Sequence, residues 1–208
     1  MNFLAHLLLT DPTPAARIGS LLPDLVRGPL PDGLDPEVRQ AVEQHRHVDR
    51  VTDTHPATLR AVERLREPHG RFAPIVVDVW FDHVLASAWS HYSDAAWGEF
   101  VHGVYDDLIN HPYLTPPAMW QLSRRMARQD WLGCYATRDG VELTLRRMSR
   151  RLRERLGRPV RLDAAMADLD RVSAAIADDF HTLWLDLLTL ASPGSVALPL
   201  DPVVRYSA

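Results

Sequence analysis

Two carboxylates sit in the middle of an apolar run, and they constrain this chain more than any other feature. The run is RFAPIVVDVWFDH, ending at His83, with Asp78 and Asp82 four residues apart among Ile75, Val76, Val77, Val79, Trp80, Phe81, Val84 and Leu85. Its length and the four-residue step predict a helix opened by Pro74 and reaching Tyr92, with both acids on one face. A helix this apolar belongs in a core, and a lone buried carboxylate is too costly to leave unpaired. The acids therefore need a cation, either arginine partners or a metal ion.

A second stretch repeats the pattern. Asp35-Pro36-Glu37 starts a helix with an N-cap, a proline at the first turn and an early acid, and the helix is expected to run to Thr54. One face carries His45, Asp49 and Asp53 at four-residue steps. Local ion pairs compete for these acids, because Arg46–Asp49 and Arg50–Asp53 have the right i, i+3 spacing. They leave His45 unexplained. Earlier in the chain, His6 is the one polar residue of an apolar helix over 3–9, either a hydrogen-bonded core histidine or a site residue. Asp24 stands at the edge of a Gly- and Pro-rich loop, as a cap or as a ligand.

The remaining helices follow from apolar spacing. They are expected at 56–67, at 94–110 with Ser93-Asp94 as its cap, at 117–128, and at 162–190 with Asp163 as its cap. No stretch alternates like a strand and no Gly-rich phosphate loop is present. The fold class is therefore all-α: a single-domain irregular bundle of seven to nine helices over 1–191, with a loose C-terminal tail over 192–208.

Charge narrows the function. All 23 basic residues are arginine, and the net charge of −4 offers no general field for nucleic acid. Residues 142–161 hold eight arginines against Glu142 and Glu154, a local +6, leaving −10 for the rest. That segment is either a solvated face paired with the acidic helix after it or a docking surface for an acidic partner. The single cysteine, Cys134, fits a reducing cytoplasm. No targeting segment and no membrane span is expected.

Histidines and carboxylates without thiolates suit Mn²⁺, with Mg²⁺ or Fe²⁺ as alternatives, better than structural zinc. The candidate ligands are His45, Asp49, Asp78, Asp82 and His83, with Asp24 and His6 as additions. Arg27, Arg46, Arg50 and Arg71 are close in sequence, and an arginine fork grips a phosphate bidentately. Together these point to metal-assisted hydrolysis of a phosphoester.

The opening MNFLAHL, then LLPDLVRG, HRxxDxxTD and RFAPIVVDVWFDH, in this order, resemble the acyl carrier protein phosphodiesterases, with weaker similarity on to about residue 188. The resemblance implies a divergent relative of the helical HD-type phosphohydrolases that favours manganese. It implies hydrolysis of the phosphodiester between 4′-phosphopantetheine and a serine of holo acyl carrier protein. The matching positions are His6, Asp24, Arg27, His45, Arg46, Asp49, Asp53, Arg71, Asp78, Asp82 and His83. Expected roles follow: Asp24 and Asp53 catalytic; His6, His45, Asp49, Asp78, Asp82 and His83 on the metal; Arg27, Arg46 and Arg71 on phosphate. The acidic carrier would dock on Arg150, Arg151 and Arg155. One departure is clear: helical phosphohydrolases carry adjacent His-Asp, whereas this chain has Asp82-His83. A phosphohydrolase of nucleotides or small phosphoesters and a non-catalytic carrier-binding protein remain open alternatives.

Overall fold

The structure, a computed structural model, describes residues 3–26 and 28–198. Nine α-helices account for most of them: α1 Leu4–Leu9, α2 Pro14–Leu25, α3 Pro36–Thr54, α4 Pro56–His69, α5 Ala73–Ser87, α6 Trp97–Asn110, α7 Pro117–Arg128, α8 Arg138–Leu156 and α9 Met166–Leu187. Among the described residues there is no strand, only an isolated bridge between Ser93 and Ala197. The all-α expectation holds. No helix among them is long and apolar enough to cross a membrane.

Capping side chains followed by proline set several starts. Thr13 accepts from the Ala16 amide ahead of Pro14, Asp35 from the Glu37 and Val38 amides ahead of Pro36, and His55 from the Ala57 amide ahead of Pro56. Each device satisfies an amide the first turn leaves open, and proline there loses no hydrogen bond. At the other end of α8, Gly157 takes a left-handed conformation, φ 64°, that a side chain would resist.

α5 is the central element. Val76, Val77, Val79, Phe81 and Leu85 are fully buried, and the helix packs against α1, α4, α8, α9 and the 133–136 turn. α2 and α3 approach most closely at Gly19, where any side-chain carbon would run into the Val38 carbonyl and Ala41. α4 and α9 are joined by the buried carboxylate of Asp179, which Arg60 and Arg64 clamp.

Several helix ends differ from expectation. α5 stops at Ser87, and a 3₁₀ turn over Trp89–His91 follows. α6 begins at Trp97 rather than 94, because Ser93 is held in the bridge to Ala197 and its hydroxyl accepts from the Ala95 amide. The last helix is preceded by a 3₁₀ turn, Leu162–Ala165, in which Asp163 meets the Ser149 hydroxyl at 3.4 Å instead of capping.

The segment 192–198, expected to be loose, is tied down. The Ser192 amide donates to the Leu9 carbonyl at 2.8 Å, the Gly194 amide to Asp11 at 2.9 Å, and the Leu198 amide to the Tyr92 carbonyl at 2.8 Å. Residues 199–208 of that expected tail lie outside the described residues. Between the arginine-rich segment and the acidic stretch after it, the ion pair among the described residues is Arg161–Asp163 at 4.0 Å, and Arg138, at the start of α8, pairs with Asp170 of α9.

Candidate metal centre

Three helices converge on one point. α1 brings His6, α2 brings Asp24 near its end, and α3 brings His45 and Asp49, which share a face through their i, i+4 spacing. His6 and His45 are both buried, and their rings stack with centroids 3.8 Å apart. His45 Nδ1 lies 2.7 Å from the Ser20 carbonyl, so it carries the proton and turns Nε2 toward the carboxylates. That Nε2 is 3.0 Å from one Asp49 oxygen and 3.8 Å from Asp24, while His6 Nε2 is 3.2 Å from the other Asp49 oxygen. One atom each from His6, His45 and Asp49 lie within 4.8 Å of one another, a group that could hold a metal ion. Asp49 and Asp24 are each about one-third exposed, so carboxylates rim the buried imidazoles and face solvent.

The electrostatics match this layering. Burial lowers the His6 pKa to about 4 and raises that of Asp24 to about 6. Burial also works against charge on His45, but Asp49 and Asp24 outweigh it and hold its pKa above the ordinary value. Burial likewise opposes ionisation of Asp49, yet hydrogen bonds from both imidazoles keep it well below the usual carboxylate range.

The ion-pair reading of this α3 face is not what the chain adopts. Arg46 pairs with Glu43 at 2.7 Å and Arg50 turns to His47, leaving Asp49 to the histidines. Asp53, one turn further, is exposed. Asp78 is half-buried on α5. Burial raises its pKa, and Asp53 and Asp49 raise it further, which places it in their field. Asp82 is fully buried and serves the start of α1: one oxygen accepts from the Phe3 amide at 2.7 Å and the Leu4 amide at 3.0 Å. Burial raises its pKa to about 7. His83 Nδ1 instead meets the Tyr135 carbonyl at 2.7 Å, and its ring leans on Trp80. Arg71 places its guanidinium over the Phe72 ring, 5.0 Å from the centroid. Arg27 lies outside the described residues.

The structure thus gathers His6, Asp24, His45 and Asp49, sets Asp78 and Asp82 behind them, and turns His83, Arg46 and Arg71 to other partners. Sequence reasoning missed the Ser20 carbonyl, which fixes the His45 tautomer. A backbone acceptor leaves no side-chain signature to find.

A family model described as acyl carrier protein phosphodiesterase matches residues 1–187. The chain belongs to that family. Among its relatives is the acyl carrier protein phosphodiesterase of Photorhabdus laumondii subsp. laumondii, 35% identical over 155 residues, which is 73% of this chain and 77% of that protein. The acyl carrier protein phosphodiesterase of Escherichia coli O157:H7 is 34% identical over 196 residues, 92% of this chain and 98% of its own. No solved structure matches. For a phosphodiesterase the donor set fits a divalent cation. Two buried imidazoles, one of them with no hydrogen-bond partner for Nδ1, stand against carboxylates that, among the described residues, pair with no arginine.

Proposed function

We propose that this chain hydrolyses the phosphodiester that joins 4′-phosphopantetheine to a serine of holo acyl carrier protein, releasing apo carrier and free 4′-phosphopantetheine. Membership of the family makes it an acyl carrier protein phosphodiesterase, and the bond cleaved is the finer reading. The observation that carries it is the stacked His6–His45 pair meeting Asp49 from below, with Asp24 on the rim.

His6, His45 and Asp49 would hold the metal, Mn²⁺ first, with Mg²⁺ and Fe²⁺ as the alternatives. Bound there, a divalent cation would supply positive charge against the phosphodiester oxygens and activate water. The Ser20 carbonyl keeps His45 in the tautomer that offers Nε2. Asp24, with a pKa of about 6, is poised near neutrality to take the proton of the attacking water. Water adds to phosphorus, the bond from phosphorus to the serine oxygen breaks, and that oxygen takes up a proton, for which exposed Asp53 is the candidate donor. Asp78 and Asp82 would support the ligands from α5. To grip phosphate, Arg46 and Arg71 would leave Glu43 and Phe72, whereas Arg27 follows Asp24 by three residues.

The carrier is proposed to dock on α8. Arg125 of α7 and Arg146, Arg147, Arg150 and Arg153 of α8 line an open groove of about 470 Å³ with no carboxylate in its wall. Arg146 is paired with Glu142, and the excess of arginine over acid in this groove favours an acidic partner. Of the docking residues expected, Arg150 lines this groove, Arg151 lies over the Trp131 ring, 4.7 Å from its centroid, and Arg155 is exposed further along the helix.

The test is mass spectrometry of holo carrier incubated with the protein and Mn²⁺. Loss of the phosphopantetheine mass, abolished by chelator and restored by metal, is expected. Intact holo carrier with Mn²⁺, Mg²⁺ and Fe²⁺ alike would overturn the proposal.

A further inference from the structure

The arginine groove on α7 and α8 is walled almost wholly by hydrogen-bond donors. Arg146, Arg150 and Arg153 fall at i, i+4 and i+7 on α8, a stripe about 10 Å long, and Arg125 of α7 lines the same groove. Gln129 adds an amide. Its oxygen accepts from Trp131 Nε1 at 3.0 Å, which leaves the nitrogen as a further donor at the groove. Leu143 is the apolar exception.

The protein itself neutralises few of these cations. Arg146 pairs with Glu142, but among the described residues no ion pair engages Arg125, Arg147, Arg150 or Arg153. The crowding is felt next door: burial lowers the pKa of Arg151, and Arg125, Arg150 and Arg147 lower it further. Like charges held this close repel, and an anion that meets several of them at once relieves the repulsion. The positive field is also local. In a chain of net −4 it forms one groove rather than a long track, so a compact ligand fits it better than a polymer. A volume of about 470 Å³ is that of a small-molecule site.

We infer that this groove binds a linear polyphosphate group, either inorganic or the tail of a nucleoside triphosphate. A guanidinium fork takes two oxygens of one phosphate, and a chain of phosphates offers oxygens along the line of the stripe. A single carboxylate reaches too few of these arginines and leaves the rest repelling one another. Polyphosphate bound there occupies the surface proposed above for the carrier, so the two exclude each other. The binding step stands on the groove alone, whereas the exclusion rests on the carrier docking proposed above.

Isothermal titration of the metal-stripped protein with inorganic tripolyphosphate tests the binding with no cation at the metal centre. One site per chain is expected, with orthophosphate about tenfold weaker or more. Arg150→Gln with Arg153→Gln, both exposed, should weaken binding about tenfold, and Arg39→Gln on the exposed face of α3 should not. Adenosine triphosphate is titrated beside it: equal binding extends the site to nucleotide tails, and none restricts it to the free polyphosphate. No binding of either, or binding unaltered by the double substitution, would overturn the inference. Kinetics with Mn²⁺ in excess over tripolyphosphate test the exclusion. KM for holo carrier should rise about tenfold at unchanged kcat. Hydrolysis of bis(p-nitrophenyl) phosphate, a small diester with no need of the groove, should stay as it was. Equal inhibition of both substrates would put the anion at the metal centre and overturn the exclusion. Should the carrier not be a substrate at all, the function proposed above fails by the mass measurement, and the titration still decides the groove.

Discussion

His45 sets the pH response of the candidate centre. A histidine ligates only when its nitrogen is unprotonated, and the carboxylates around His45 hold its proton to higher pH than usual. Metal must displace that proton, so affinity rises with pH until the raised pKa is passed and then levels. His6, at about 4, does not compete above pH 5. Manganese uptake followed by electron paramagnetic resonance is expected to strengthen by about tenfold per pH unit on the acid side, one proton leaving per ion bound. Asp82 responds with the opposite sign. Its folded pKa of about 7 lies above the ordinary carboxylate value, so the fold is favoured when the group is protonated, and stability falls as pH rises from about 4 to 7. Asp82→Asn keeps an acceptor for the Phe3 and Leu4 amides and cannot ionise. Thermal denaturation of this variant should lose that pH slope and show ~1–3 kcal/mol more stability at pH 8. If the folded variant also binds manganese tenfold more weakly, Asp82 belongs among the ligands.

At the level of helices, Gly19 links packing to chemistry. It lets α2 lie directly on α3, and these two helices carry Asp24 and His45. Gly19→Ala is expected to cost about 1–3 kcal/mol by urea denaturation, since the added carbon meets backbone that cannot yield. It should also weaken metal uptake, because parting the helices moves Asp24 and the Ser20 carbonyl away from His45. Helix existence was legible in the sequence because apolar spacing and Pro-capped starts are local signals. The late start of α6 and the early stop of α5 were not, because Ser93 and the turn after Ser87 answer to distant partners. The same limit applies to the site. Four-residue spacing placed His45 with Asp49 on one face, and their convergence is seen in the structure. Spacing treated Asp82 in the same way, yet periodicity gives a face and not a depth. Asp82 lies deep enough to reach the first amides of α1. Nor could spacing show that His6, nearly forty residues before His45, would stack on it.

For the molecule as a whole, charge is unevenly divided. A chain of net −4 keeps an arginine groove on α7 and α8, far in sequence from the ligands of α1 to α3. Such separation suits steering: an acidic partner is drawn to one face and held off the carboxylate-rimmed centre. Arg125→Glu with Arg150→Glu should raise KM for acidic carrier about tenfold and flatten its salt dependence, with kcat little altered. Arg155→Glu, outside the groove wall, should do less. Steady-state kinetics across sodium chloride concentrations measures all three.

Gln44 stands on the helix that supplies His45 and Asp49, and its amide donates to the carbonyls of both Leu9 and Leu190. The Ser192 hydroxyl returns a bond to the same side chain, and the Ser192 amide closes onto Leu9. The first helix and the segment after α9 are thus joined through a single glutamine, which meets α1 at Leu9, three residues beyond His6. A protein shortened after Leu190 would retain every proposed ligand but lose both Ser192 bonds, to Leu9 and to Gln44, and its manganese uptake is expected to weaken as the end of the short first helix loosens.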